Sequence, residues 1–113
     1  MLGAINKLFG KGGKSANQAV LIYLNGTDLE DSVYQNYDLY GFEEAIVGAL
    51  GSEGEWDGNE TGPTETTVFL YGPDAEQMFA RIEPVIRDYP LCKKARVVIR
   101  QGGPGAVQRE VQL

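Results

Sequence analysis

The apolar residues of this chain change period along its length, and the order of those changes restricts the fold more than any other feature. Ala19 to Leu24 (AVLIYL) is a short continuous apolar run closed by Asn25-Gly26, which reads as a buried central strand. Phe42, Ala45, Ile46, Ala49 and Leu50 then recur at helical spacing. Glu43 and Glu44 stand where the helix dipole favours anions, and Gly51 follows as a C-terminal cap, so the spacing predicts a helix over residues 41–50. A polar, turn-rich stretch with a short edge strand around residues 55–59 separates this helix from Glu65 to Tyr71 (ETTVFLY), a β-branched and aromatic strand stopped by Gly72-Pro73. Asp74-Ala75-Glu76-Gln77 has capping-box spacing. Met78, Phe79, Ile82, Val85, Ile86 and Tyr89 line one face of the helix it opens, with a kink expected at Pro84. Residues 95–100 (ARVVIR) form the next strand, and the alternation from Val107 to Leu113 adds a last hairpin strand.

Strand, helix, strand, strand, helix, strand is the order of an α+β, ferredoxin-like split βαβ sandwich. The expected architecture is a mostly antiparallel sheet with two main helices on one face and an extra C-terminal strand. Val20, Ile22, Phe69, Val97 and Ile99 are expected to share a core with Phe42, Ile46, Phe79, Ile82 and Ile86. A second capping-box spacing, Thr27 to Glu30, predicts a short helix starting at Thr27. The 113 residues fit one domain, read as a flexible basic tail over residues 1–17 and a single α+β domain over residues 18–113. Leu2, Ile5, Leu8 and Phe9 share a helical face with three lysines nearby, but the glycine density favours a frayed tail over a membrane-lying helix.

Charge restricts function as period restricts fold. No Lys or Arg occurs between Ser15 and Ala80, while thirteen of the sixteen carboxylates do. Net charge is +3 over residues 1–14, −13 over 15–80 and +4 over 81–113. Such a surface attracts cationic partners and repels nucleic acid. The chain has no His, which removes the commonest general base and excludes Ser-His-Asp and Cys-His catalysis. The single Cys92 excludes an internal disulfide and fits a reducing, cytoplasmic setting. Lys93 and Lys94 beside it would favour a thiolate if it were exposed; a buried thiol is the reading taken.

Two motifs come near known ligand loops and miss. Gly10 to Ser15 (GKGGKS) would need a glycine at position 8, where Leu stands, and it precedes the first strand instead of following one. Glu53, Glu55 and Asp57 alternate before Gly58 like part of a calcium loop, but Thr64 stands where the bidentate Glu belongs. No catalytic residue, cofactor or metal ligand is therefore assigned.

The expected partner-binding surface is Asp28, Glu30, Asp31, Tyr34, Tyr37, Asp38, Glu53, Glu55, Trp56, Asp57 and Glu60. These acids have no basic neighbour in sequence, and they bracket the two least regular segments. Tyr and Trp among carboxylates make anchors for a protein with a basic surface.

Residues 57–60 (DGNE), 70–75 (LYGPDA), 82–87 (IEPVIR) and 95–106 (ARVVIRQGGPGA) resemble a family of small uncharacterised bacterial proteins. The likeness covers roughly the C-terminal half and implies a fold without an assigned activity. Two functions remain as expectations. One is a small acidic, non-enzymatic protein that blocks a basic, nucleic-acid-cleaving partner, as an immunity protein or inhibitor does. The other is a ligand-sensing or regulatory module that works as a dimer.

Overall fold

The protein, described by a computed structural model over residues 17–113, is an α+β domain with one five-stranded sheet. The strands are β1 (Gln18–Asn25), β2 (Glu55–Thr61), β3 (Glu65–Gly72), β4 (Arg96–Arg100) and β5 (Gln108–Gln112). The helices are α1 (Asp31–Asn36), α2 (Leu39–Leu50) and α3 (Ala75–Asp88), with short 3₁₀ turns at Gly51–Glu53 and Pro90–Cys92. The sheet order is β2-β3-β1-β4-β5, and every adjacent pair is antiparallel. The tail over residues 1–16 lies outside the described residues.

β1 takes the centre because it is apolar on both faces. Val20, Ile22 and Leu24 point toward α2 and α3 and are buried with Val68, Leu70, Val97 and Ile99 of the neighbouring strands. Onto them pack Phe42, Ile46 and Leu50 of α2, spaced by four residues along one stripe, and Met78, Phe79, Ile82 and Ile86 of α3. The alternate residues Ala19 and Leu21 face the other way and cluster with Val98, Tyr23, Phe69 and Tyr71.

Phe69 thus leaves the expected core. Leu21 pairs with Phe69 and Ile22 with Val68, so Val68 and Leu70 face the helices. In a strand with large apolar residues at four successive positions, composition does not say which pair points inward; pairing with β1 decides it.

Helix boundaries follow the caps that form. Asp38 accepts the Gly41 amide at 2.8 Å, so α2 starts at Leu39, two residues before the expected point. Asp74 accepts the Gln77 amide at 3.0 Å, as its spacing predicts. The Thr27–Glu30 box does not form. Asn25 captures the Thr27 and Asp28 amides in a turn, and α1 begins at Asp31 without a side-chain cap. α3 continues through Pro84. Pro84 and Ala80 are both exposed, so the Ala80 carbonyl that loses its donor is open to water.

The final strand is docked as well as paired. Arg109 lies opposite Ile99 and reaches Glu76 in the first turn of α3, with contacts of 2.7 and 2.8 Å. That guanidinium holds the Glu76 carboxyl below its ordinary range. Val111, opposite Val97, packs on the main core.

Ile82 is wholly buried between helix and sheet. Ile82→Ala is expected to destabilise the protein by about 2–5 kcal/mol, read as a lower midpoint in urea titration at unchanged slope.

Candidate protein-binding surface

The segment between β1 and α2 is held by local bonds. The Asn25 carboxamide accepts the Thr27 and Asp28 amides at 2.9 and 2.8 Å and donates to the Asp28 carboxylate at 3.2 Å. Thr27 adds its hydroxyl to the same carboxylate at 3.1 Å. The bonds from Asn25 and Thr27 keep the Asp28 carboxyl below its ordinary pKa. Tyr34 donates to the Asn25 carbonyl at 3.0 Å and accepts the Leu29 amide at 3.1 Å. Its hydroxyl therefore closes this loop. Val33, Leu29 and Leu91 pack beneath it.

From this anchored loop the chain enters α2 with Asp38 as its cap. Tyr37 stands just before, its ring edge-on to Tyr89 at 5.6 Å. Tyr89 in turn stacks on Phe42 at 5.2 Å, and Phe42 meets Trp56 at 6.0 Å. A row of four rings thus runs from the surface into the core. It gives Tyr37 a fixed position while leaving it 40% exposed.

The outer stripe of α2 carries Tyr40, Glu44 and Val47, spaced by four and three residues and therefore stacked on one face. Tyr40 is 68% and Val47 48% exposed. With Tyr37, they are three of the four large exposed hydrophobics among the described residues; Val107 is the fourth. Asp38, Glu43 and Glu44 stand among them, and α1 and α2 contain no Lys or Arg. Arg81 donates to the Ala49 carbonyl at 3.1 Å, at the far end of α2. Lys94 donates to the Asp28 carbonyl at 3.2 Å. A cleft of about 300 Å³ opens beside this patch, with Tyr34, Tyr37, Leu39, Pro63 and Leu91 among its walls.

The expected site residues are not gathered into one surface. Asp28, Glu30, Asp31, Tyr37 and Asp38 lie together, exposed, beyond the Asn25 end of β1. Glu53 lies at the opposite end, where its carbonyl abuts Gly72, the partner of Gln18. Seven steps of ~3.3 Å along β1 separate these ends by about 23 Å. Trp56 faces inward onto Phe42. Glu55 and Glu60 pair opposite Tyr71 and Thr67, so they belong to the sheet face turned away from the helices. Asp57 sits at the irregularity between Trp56 and Gly58, exposed at the sheet edge.

Sequence reasoning weighs Tyr40 with Tyr34 and Tyr37 as a contact for a basic partner, yet leaves Tyr40, Glu44 and Val47 out of the expected site. The signal was present. Tyr40, Glu44 and Val47 fall off the Phe42-Ile46-Leu50 stripe, and an apolar residue off the buried stripe is an exposed one.

No group of three or more Cys, Asp or Glu side chains suited to a metal ion occurs among the described residues. Cys92 is buried, and desolvation pushes its thiol up to about 12 despite the exposed lysines that follow it. No helix among them is long and apolar enough to cross a membrane. The chain matches no family model, no curated protein and no solved structure.

Two expectations follow. Asp38→Ala should lower stability by about 1 kcal/mol, the usual cost of losing a capping side chain, measured by denaturant titration. Native Cys92 should resist a thiol reagent at pH 8 and react once the protein unfolds. Because its folded pKa lies above the ordinary 9.0, its contribution to stability holds below that pH and is lost as pH rises toward about 12.

Proposed function

We propose that this chain is a small acidic protein-binding domain that covers a basic surface on another protein, in the manner of an immunity protein or inhibitor of a nucleic-acid-cleaving enzyme. The observation that carries this reading is the α2 patch. Tyr37, Tyr40 and Val47 are exposed among Asp38, Glu43 and Glu44 on elements without a single cation. Apolar anchors ringed by like charge suit a partner whose surface is cationic around an apolar centre. An enzyme that cleaves nucleic acid has such a surface, because its groove must hold phosphates. A binder of this kind needs no catalytic group of its own.

The scaffold reading is the ferredoxin-like split βαβ sandwich with an added edge strand. It is supported by the order β2-β3-β1-β4, in which β3 separates β1 from β2, and by α2 and α3 packing on one face. On such a scaffold α2 is rigidly held, and its outer stripe presents a preformed contact surface.

The test is to isolate the native partner and measure association by surface plasmon resonance. Tyr40→Ala should weaken binding by 10–100-fold (about 1.4–2.7 kcal/mol), chiefly through faster dissociation. Glu43→Gln with Glu44→Gln should slow association and flatten its salt dependence. Glu55→Gln, on the opposite face, should change neither. Indifference to Tyr40→Ala and to the glutamines together would place the contact elsewhere.

A further inference from the structure

The chain ahead of β1 carries what the α2 patch lacks. Residues 1–14 hold Lys7, Lys11 and Lys14 and no carboxylate, and by spacing Leu2, Ile5, Leu8 and Phe9 share a helical face. α1 and α2 hold carboxylates and no Lys or Arg, with Tyr40 and Val47 exposed on the outer stripe of α2. The two stripes match in length as well as in charge. Leu2 to Phe9 and Tyr40 to Val47 are each seven steps, about 10 Å of helix.

The outer side of α2 is also open to close approach. Gly48, beside Val47, is exposed, and a Cβ there would meet nothing within 4 Å. Glycine weakens a helix interior, and no neighbour in the described domain requires it at this position. Bare backbone lets another segment come near. The connection is long enough to bring one. β1 starts at Gln18, opposite Gly72, and Gly72 abuts the Glu53 carbonyl just past the end of α2. The chain thus enters the domain beside the C-terminal end of α2, whose last residue is one turn from Val47. Gly10 to Asn17, eight residues, span up to about 26 Å when extended. Gly10, Gly12 and Gly13 all fall in that connection and leave Gly3 alone in the apolar stretch.

We propose that residues 2–9 dock as a helix on the outer stripe of α2 of the same chain and hold the patch until a partner displaces them. This rests on the patch of the proposed function, but not on the identity of its partner. Because the connection leaves from Phe9, Phe9 lies beside Val47 and Gly48, Leu2 lies beside Tyr40, and the two helices run parallel. Lys7 falls off the apolar stripe, so its charge acts at long range and not through a fixed pair. Lys11 and Lys14 pass the C-terminal end of α2, which has no basic residue in its own last turn. The helix dipole favours cations there, and Arg81 already donates to the Ala49 carbonyl. A tethered segment meets its site at an effective concentration in the millimolar range, so weak docking suffices to cover the patch. A partner using the same patch then binds with an affinity reduced in proportion to the free fraction.

The experiment is paramagnetic relaxation, read by nuclear magnetic resonance on the full chain. Ala4→Cys places a thiol off the apolar stripe for a nitroxide label, while the native Cys92 is buried and stays unlabelled. The label should broaden the amide signals of Tyr40 and Glu44 more strongly than those of Gln18 and Gly72. An undocked tether would do the opposite, because its label stays nearest the point where it joins the domain. Ile5→Ser, outside the domain, should abolish the broadening and leave the amide positions of the sheet unmoved. Glu43→Gln with Glu44→Gln, and raised salt, should each reduce it. Broadening strongest around Gln18, or unchanged by Ile5→Ser, overturns the proposal. So does broadening passed to isotope-labelled chains mixed with spin-labelled ones, which would mean docking on a second copy. No other protein enters this measurement. A docked segment in a chain that binds no cationic protein refutes the proposed function alone, and the reverse result refutes only the docking.

Discussion

The pairing of β1 with both β3 and β4 is the constraint on which the other contacts depend. β1 shares an eight-position register with β3 and a five-position register with β4, and each step fixes a face. Val20, Ile22 and Leu24 turned toward the helices oblige Val68, Leu70, Val97 and Ile99 to turn with them. α2 and α3 can then bury their stripes only on that side. The slip of one residue in either pairing would carry the apolar set to the opposite face and leave both helices without a floor. Even the close approach at Gly54 and Gly72 belongs to this arrangement. A Cβ on Gly54 would collide with the Met78 sulfur, and one on Gly72 would sit 2.5 Å from the Glu53 carbonyl, so the α2–β2 connection can cross the end of β3 only without side chains there.

Much of this was legible in the sequence, and the reasons are local. The Ala19–Leu24 run, the Asp74–Gln77 cap and the helical stripes each state their structure within a few residues, and the strand and helix order followed from them. What escaped was decided between elements. Phe69 and Val68 are both apolar, and only the register with β1 separates them. Thr27 and Glu30 have capping-box spacing, yet Asn25 reaches the Thr27 and Asp28 amides first because its side chain is short and already held at the end of β1. The site was legible in part for the same reason. The cation-free window predicted carboxylates without ion partners, but it could not say which of them share a surface. A period of two would set Glu60 beside Trp56, but the irregularity at Asp57 shifts the register and turns Glu55 and Glu60 to one side of the sheet and Trp56 to the other, while α2 carries its acids on the far side of the core.

The division of the acids changes what the charge pattern means. A net of −13 over residues 15–80 suggests one negative surface, yet the carboxylates serve at least three settings. Asp38 and Asp74 cap helices, and Asp28 ties a turn. Glu65 and Glu76 receive arginines from β4 and β5, so the basic C-terminal third is folded back onto the acidic part. Glu43 and Glu44 on α2, and Glu55 and Glu60 on the sheet, are left to act on what lies outside. These last two pairs occupy opposite faces of the molecule and stand in different company. The first pair has exposed Tyr40 and Val47 and no cation on its helix. The second has an apolar centre and arginines across the same sheet.

That difference separates the two surfaces physically. A face with one sign of charge cannot pack on itself, because the two-fold that brought the anchors together would also superpose like charges. The α2 patch is such a face, which is why the proposed partner of Tyr40 and Val47 is a different, cationic molecule. The sheet face carries both signs, with Arg96 held by Glu65 and Glu110 on the same face. For the proposed partner of α2, salt would screen the long-range attraction between surfaces of opposite sign and so slow association.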